Sequence, residues 1–242
     1  MNSIRHVNAG EVATHTIRVW DAPVRAVHWV LAVLVATSVA TGFTGGNALS
    51  LHRFSGYAIL ALVVFRVLWG FAGGRHAQFA TFLRGPRAVA TFVRETAALR
   101  RPLHIGHNPL AGWMVVALLA ALLVQGGTGL FANDDIAFEG PLVRLVGKDL
   151  GDLLTAVHRK TARILLALVA MHLGAVLFHF VVERRNLVAA MFTGRTSWPE
   201  ALDAPEPGRP RPWLAAALFL VACAAVALAV NGAGFGRTAG AP

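Results

Sequence analysis

Charge is scarce in this sequence: 14% of its 242 residues are Asp, Glu, Lys or Arg, against 56% hydrophobic. A soluble domain of ordinary composition carries about 25% charge, so the scarcity excludes that class and points to a chain that lives in lipid. Acidic residues are scarcer still, 12 against 22 Lys and Arg. The net charge of +10 would suit nucleic acid if it lay on one face, but it is divided among alternate connecting segments, and no nucleic-acid partner is expected. Cysteine is nearly absent. Cys223 alone forms neither an internal disulfide nor a multi-cysteine metal site, and it reads as a small buried hydrophobe. No internal repeat and no soluble domain is found. A cleaved signal peptide is not expected either, because about 27 polar residues precede the first apolar core and no small-residue cleavage site follows it.

What is present is length of apolar chain. Five segments, near 24–43, 52–72, 109–130, 154–181 and 213–231, are long enough for a hydrocarbon core that needs about 20 helical residues. Their connections alternate in charge. The N-terminal arm carries Arg5, Arg18 and Arg25. The second connection carries Arg75, Arg84, Arg87, Arg94, Arg100 and Arg101 against Glu95, and the fourth carries Arg184, Arg185, Arg195, Arg209 and Arg211. The third is acidic, with Asp134, Asp135, Glu139, Asp149 and Asp152 outnumbering Arg144 and Lys148. The positive-inside rule then predicts a multi-pass protein of the bacterial inner membrane, with its N-terminus cytoplasmic and its C-terminus periplasmic. Arg159, Lys160 and Arg163, at the outer start of the fourth segment, are the exception. The expected organisation is an arm over 1–23, a four-helix core over 24–195, a proline-rich linker over 196–212, and a fifth helix with a short tail over 213–242. The fifth helix has no histidine and no charge, and reads as a lipid-facing anchor. An amphipathic helix around Pro86 to Leu99 is expected to turn its arginines to lipid headgroups. Asp134-Asp135 and Glu139-Gly140-Pro141 read as turns.

The histidines are the informative polar residues. Ionisable groups within a membrane are costly and mark function, and neutral imidazole is a standard axial ligand of haem iron. His28 lies near the start of the first helix, His52 opens the second, and His158 and His172 share the fourth. Fourteen residues separate the last two, roughly 21 Å along the axis and just under four turns, so both occupy nearly one face. Chain direction sets depth: His52 and His158 fall at the outer level, His28 and His172 at the inner. Two bis-histidine sites stacked across the bilayer suit two haem b groups; closed zinc sites need four ligands. The plain alternative is four packing histidines bonded to neighbouring carbonyls. The fold class expected is therefore an all-α, integral membrane four-helix dihaem bundle with an additional C-terminal transmembrane helix.

Glycine lets a flat cofactor approach the backbone. Gly56 lies one turn from His52, and Gly42 follows His28 by 14 residues at the outer level; ordinary small-residue helix packing is the competing account. Haem propionates need cations. Arg53 and Arg159 each follow an outer histidine, with simple snorkelling as the alternative. Arg66 stands at the inner depth, where a buried arginine without an anion is expensive, and Arg25 is a further candidate. His107, before Asn108-Pro109, reads as a capping and interfacial residue rather than a quinone or propionate contact, and His179 is treated likewise. His6, His15, His76 and His104 fall in segments read as solvent-facing.

These residues resemble the bacterial cytochrome b561 group that includes the membrane subunit of nickel–iron hydrogenases. The resemblance rests on Trp20-Asp21 with Arg25 and His28-Trp29, then Leu51-His52 with Gly56-Tyr57 and Arg66. It continues through Gly106-His107-Asn108-Pro109-Leu110, Thr128-Gly129-Leu130-Phe131, Asp134-Asp135 with Glu139-Gly140-Pro141, and finally His158 and His172. It spans about residues 17–195. It implies a four-helix core with two b haems and electron exchange between a quinone pool and a periplasmic redox protein or enzyme subunit, such as a c-type cytochrome. The fifth helix departs from that plan. Two rival functions remain open: oxidation of superoxide at an outer haem flanked by Arg53, Arg159 and Lys160 with quinone as acceptor, and a non-redox membrane anchor or transporter subunit.

Overall fold

The computed structural model describes residues 14–98, 100, 104–136, 138–199 and 211–235. The first thirteen residues of the arm, Leu99, Arg101, Arg209 and the linker prolines Pro205, Pro207 and Pro210 lie outside them. A chain in lipid must satisfy its backbone internally, which favours helix, and helix dominates here. In chain order the helices are α1 (Ala22–Thr44), α2 (Leu49–Ala72), the single turn α3 (Phe79–Phe82), α4 (Pro86–Ala97), α5 (Pro109–Gly129), α6 (Lys148–Val181), α7 (Leu187–Thr193) and α8 (Pro212–Phe235). Five of these, α1, α2, α5, α6 and α8, are long and apolar enough to cross a membrane. The protein is an all-α, multi-pass membrane bundle.

Local chemistry sets the helix starts. Asp21 caps α1, its Oδ1 accepting from Val24 N at 2.9 Å, with a proline in the first turn. Asn108 caps α5 in the same way, accepting from Ala111 N at 2.7 Å ahead of Pro109. The fourth span begins at Lys148, earlier than its apolar run suggests. Its 34 residues extend roughly 51 Å, well beyond a hydrocarbon core of about 30 Å. The excess is polar and sits at the N-terminal end, where Lys148 pairs with Asp152 at 3.2 Å and with Asp135 at 2.9 Å. Apolar run length therefore undercounts a helix that continues into water. The amphipathic α4 ends at Ala97, buries Phe92 and leaves Arg87 and Arg94 exposed.

α1 pairs with α2 and α5 pairs with α6, and α2 joins the two hairpins through α5. Val24 and Val27 pack with Phe65 and Trp69; Ile59 and Val63 pack with Leu119, Leu122 and Leu165. α8 leaves most of its surface exposed, as a lipid-facing helix would, but it is also packed against the core by one stripe. It lies along α2, with Ala222 wholly buried in the Phe65–Trp69 cluster and Val226 against Leu60 and Ala61. Small side chains allow that approach, and uniformly apolar sequence gives no hint of which stripe is used. The backbone of α6 stays apart from α1 and α2, so α6 buries little besides Gly151, Thr161 and Leu165.

The ends of the core are tied by a two-stranded antiparallel ribbon that the helical pattern does not announce. β1 (Thr14–Arg18) pairs with β2 (Arg195–Pro199), Thr14 opposite Pro199 and Arg18 opposite Arg195. The stretch assigned to linker from residue 196 thus begins as a strand. Gly194, at φ +77°, turns the chain out of α7, and its carbonyl accepts from both Val19 N (2.8 Å) and Trp20 N (3.1 Å). The acidic connection folds as the turns its residues suggest, with Asp134 Oδ1 accepting from Ile136 N and Phe138 N and Glu139 pairing with Arg144 at 3.0 Å.

Candidate functional site

α6 carries two histidines 14 residues apart, and each reaches across the space beside it. His172 faces His28 of α1 with ring centroids 6.3 Å apart and planes at 58°. His158 faces His52 of α2 at 6.1 Å and 86°. Two imidazoles bound on opposite sides of one metal ion, each through a bond of about 2 Å, have centroids roughly 6 Å apart. Both pairs have that separation. Among the described residues no three His, Cys, Asp or Glu side chains converge, so each site offers two imidazole donors. That donor set fits an iron whose other four positions belong to a planar macrocycle.

The two sites are held differently. His52 Nδ1 donates to the carbonyl of Ser38 at 2.7 Å, and His158 Nδ1 donates to the carbonyl of Gln125 at 2.9 Å. A carbonyl only accepts, so Nδ1 carries the hydrogen and Nε2 keeps its lone pair. The carbonyl-bonded histidine foreseen as a rival to metal ligation is thus compatible with it, because the bond uses only one ring nitrogen. At His158 the second nitrogen accepts from Gln125 Nε2 at 3.1 Å, on the side where a metal would bind. Gly42 and Gly129 make room for the rings: a Cβ on either would stand 3.0 Å from Cε1 of His52 or His158 respectively. Gly42 therefore accommodates the His52 ring, while a Cβ on Gly56 would meet nothing within 4 Å.

At the other level, His28 Nδ1 is buried with no partner among the described residues. Trp29 stands edge-on to His28 and stacks on Phe192 at 4.1 Å. Arg25 donates from Nη1 to the Phe192 carbonyl and leaves its buried Nε unpartnered. Arg66 is 6% exposed, lies 5.7 Å over the Phe79 ring and has a buried, unpartnered Nη1. Buried donors without acceptors are costly, and two of them on cations give this end a capacity for anionic groups. Arg53 lies 5.2 Å over the Phe54 ring. Arg159 is exposed and, with Lys160 and Arg163, lines a cleft of about 390 Å³ whose other wall carries Asp134, Asp135 and Asp152.

His107 is not the cap of α5; Asn108 is. The His107 ring is instead wedged between Trp20 (4.7 Å) and Phe82 (4.5 Å) with its Nδ1 buried and unpartnered. Burial, with repulsion from Arg66, His76 and His172, pushes its pKa down to about 3. His76 and His104, read as solvent-facing, are half-buried, and burial holds both below the ordinary imidazole value. His179 bonds Glu183 through Nδ1 at 2.7 Å. Residue-type reasoning did not find the supporting groups: the Ser38 and Gln125 carbonyls, Gly129, and the Asp21–Trp69 bond at 3.0 Å. The available signal was a Thr-Gly pair near the end of both α1 and α5, Thr41-Gly42 and Thr128-Gly129.

Comparison with known proteins identifies a family. The family described as prokaryotic cytochrome b561 matches residues 19–194, the stretch closed by the Val19–Gly194 bond. Similar curated proteins are named probable Ni/Fe-hydrogenase B-type cytochrome subunits. That of Bradyrhizobium diazoefficiens is 24% identical, covering 76% of this chain and 87% of the relative. Those of Rhizobium leguminosarum bv. viciae and Rhodobacter capsulatus are 24% and 25% identical, covering 79% and 76% of this chain and 93% and 82% of the relatives. No solved structure matches the chain.

Proposed function

The chain belongs to the prokaryotic cytochrome b561 family, and from that premise we propose that it carries two bis-histidine b haems and moves electrons across the bilayer between a quinone pool and a periplasmic redox partner. That it is a membrane b-type cytochrome of electron transfer follows from the family; the haem count, the ligands and the two ends of the path are our reading. One observation carries it: a single helix presents His158 and His172 to His52 and His28 at 6.1 and 6.3 Å.

In this reading His52 and His158 hold the haem nearer the periplasm, and His28 and His172 the one nearer the cytoplasm. The orientation rests on the arginine-rich arm, second connection and fourth connection, which the positive-inside rule assigns to the cytoplasm. The haem supplies one-electron chemistry at iron when bound. Ligation by the four imidazoles would leave no open position on either iron, which would favour electron transfer over oxygen binding. Arg25 and Arg66 offer unpartnered N–H groups to propionates at the inner level. Arg53 and Arg159 are the corresponding cations at the outer level, and Gly56 leaves open space beside His52. The lipid bilayer insulates the path.

The relatives' names point to an enzyme of nickel–iron hydrogenase type as the periplasmic partner; a c-type cytochrome is the alternative. Reduction of the reconstituted protein by each in turn separates them. The superoxide reading draws on the cleft at Arg159, Lys160 and Arg163, but three carboxylates line the same cleft, which weakens any attraction for an anion.

The test is a reduced-minus-oxidised optical spectrum with haem quantification. The protein should contain two haems per chain. His172→Ala and His52→Ala should each retain one, with distinguishable spectra. Unchanged stoichiometry in His172→Ala refutes the ligand assignment, and a colourless protein from haem-supplied cells refutes the function.

A further inference from the structure

The two hairpins contain the same small device. On α1, the Ser38 carbonyl accepts from His52 Nδ1 (2.7 Å) and from Thr41 Oγ1 (3.2 Å), and Gly42 provides the gap for the ring. On α5, the Gln125 carbonyl accepts from His158 Nδ1 (2.9 Å) and from Thr128 Oγ1 (3.3 Å), and Gly129 provides the gap. In both, the accepting carbonyl lies four residues before the glycine. The histidine comes from the next long helix of the same hairpin. The α1–α2 and α5–α6 hairpins thus repeat each other locally, although most of their side chains do not.

The repeat serves only one of the two sites. Hydrogen bonding at Nδ1 orients an axial imidazole and raises its basicity, which favours the more positively charged, ferric state of the iron it binds. Both outer rings have such a bond. At the inner pair His28 Nδ1 is buried without a partner among the described residues, so no such bond raises the basicity of that ring.

We propose that the Thr41-Gly42 and Thr128-Gly129 notches are positioning devices that make the outer haem the lower-potential centre of the two. This rests on the dihaem reading above.

The experiment is a redox titration of the purified haem protein, followed optically and by the electron paramagnetic resonance of the ferric low-spin centres, with His172→Ala identifying the outer one. The outer centre should titrate below the inner. Gly129→Ala and Gly42→Ala push a ring off its carbonyl and should raise the outer potential and move its resonance, leaving the inner centre unchanged. Thr128→Val and Thr41→Val keep the histidine–carbonyl bonds, because each hydroxyl donates chiefly to the Val124 or Thr37 carbonyl at 2.7 Å, and should shift the outer potential alone, by less than the glycine variants; the order of the two potentials in the unaltered protein keeps the proposal testable where a glycine variant fails to fold. An outer potential at or above the inner, or notch variants that shift both centres or neither, overturns this proposal alone. Fewer than two haems in the unaltered protein overturns the dihaem reading and this proposal with it.

Discussion

Removing the carboxylate of Asp21 should loosen the end of the bundle where α1 starts more than the loss of a helix cap alone. Its Oδ1 accepts from Val24 N at 2.9 Å and its Oδ2 from Trp69 Nε1 at 3.0 Å, so one side chain joins the start of α1 to the end of α2. An N-cap contributes about 1 kcal/mol. A hydrogen bond to a charged acceptor contributes about 1.5–3 kcal/mol, and a stranded donor costs a similar amount. Trp69 is 2% exposed and has little access to a replacement acceptor. Asp21→Ala should therefore cost about 2.5–4 kcal/mol. Asp21→Asn keeps one acceptor oxygen for two donors and should cost about 1.5–3 kcal/mol. A double-mutant cycle with Trp69→Phe isolates the pair: unfolding of the four proteins in detergent, followed by circular dichroism, should give a coupling above about 1 kcal/mol. Additivity within about 0.5 kcal/mol would refute the bridging role. It would leave Asp21 as a cap only.

Two further substitutions test other joints. Gly194→Ala places a Cβ 2.7 Å from the Trp20 carbonyl oxygen and 3.0 Å from Arg25 Nε, at φ +77°. The left-handed backbone alone costs about 1–2 kcal/mol, so the melting temperature should fall by more than that cost implies; an unchanged melt contradicts the closure at Val19–Gly194. His107 gives a pH signature. Between its ordinary value of 6.5 and about 3, the unfolded chain takes up a proton that the folded chain refuses. Stability should therefore fall as pH drops below 6.5, by up to about 1.4 kcal/mol per unit from this residue. His107→Phe keeps the contacts with Trp20 and Phe82 and should flatten the dependence of unfolding on pH between 6.5 and 4. An identical slope in the variant would show that the ring is not shielded.

Much of the architecture was legible because its causes are local. About twenty apolar residues in lipid have little choice but helix, and Asp21, Asn108 and the prolines mark where helices start. Depth was legible too. Chain direction and a 1.5 Å rise place His52 beside His158 and His28 beside His172, the rings that stand 6.1 and 6.3 Å apart. The sequence, read alone, thus settles an all-α membrane bundle, its family likeness and which histidines share a level.

Tertiary structure decided the rest. Apolar length hid the polar start of α6, and uniform hydrophobicity hid the stripe of α8 that covers α2. The ribbon joins strands some 180 residues apart (Thr14 opposite Pro199), beyond the reach of any local pattern. Most tellingly, the groups that orient His52 and His158 are carbonyls of Ser38 and Gln125. Every residue has a carbonyl, so residue type does not reveal which one is left open to a neighbour; that depends on where a missing Cβ, at Gly42 or Gly129, lets another helix come close.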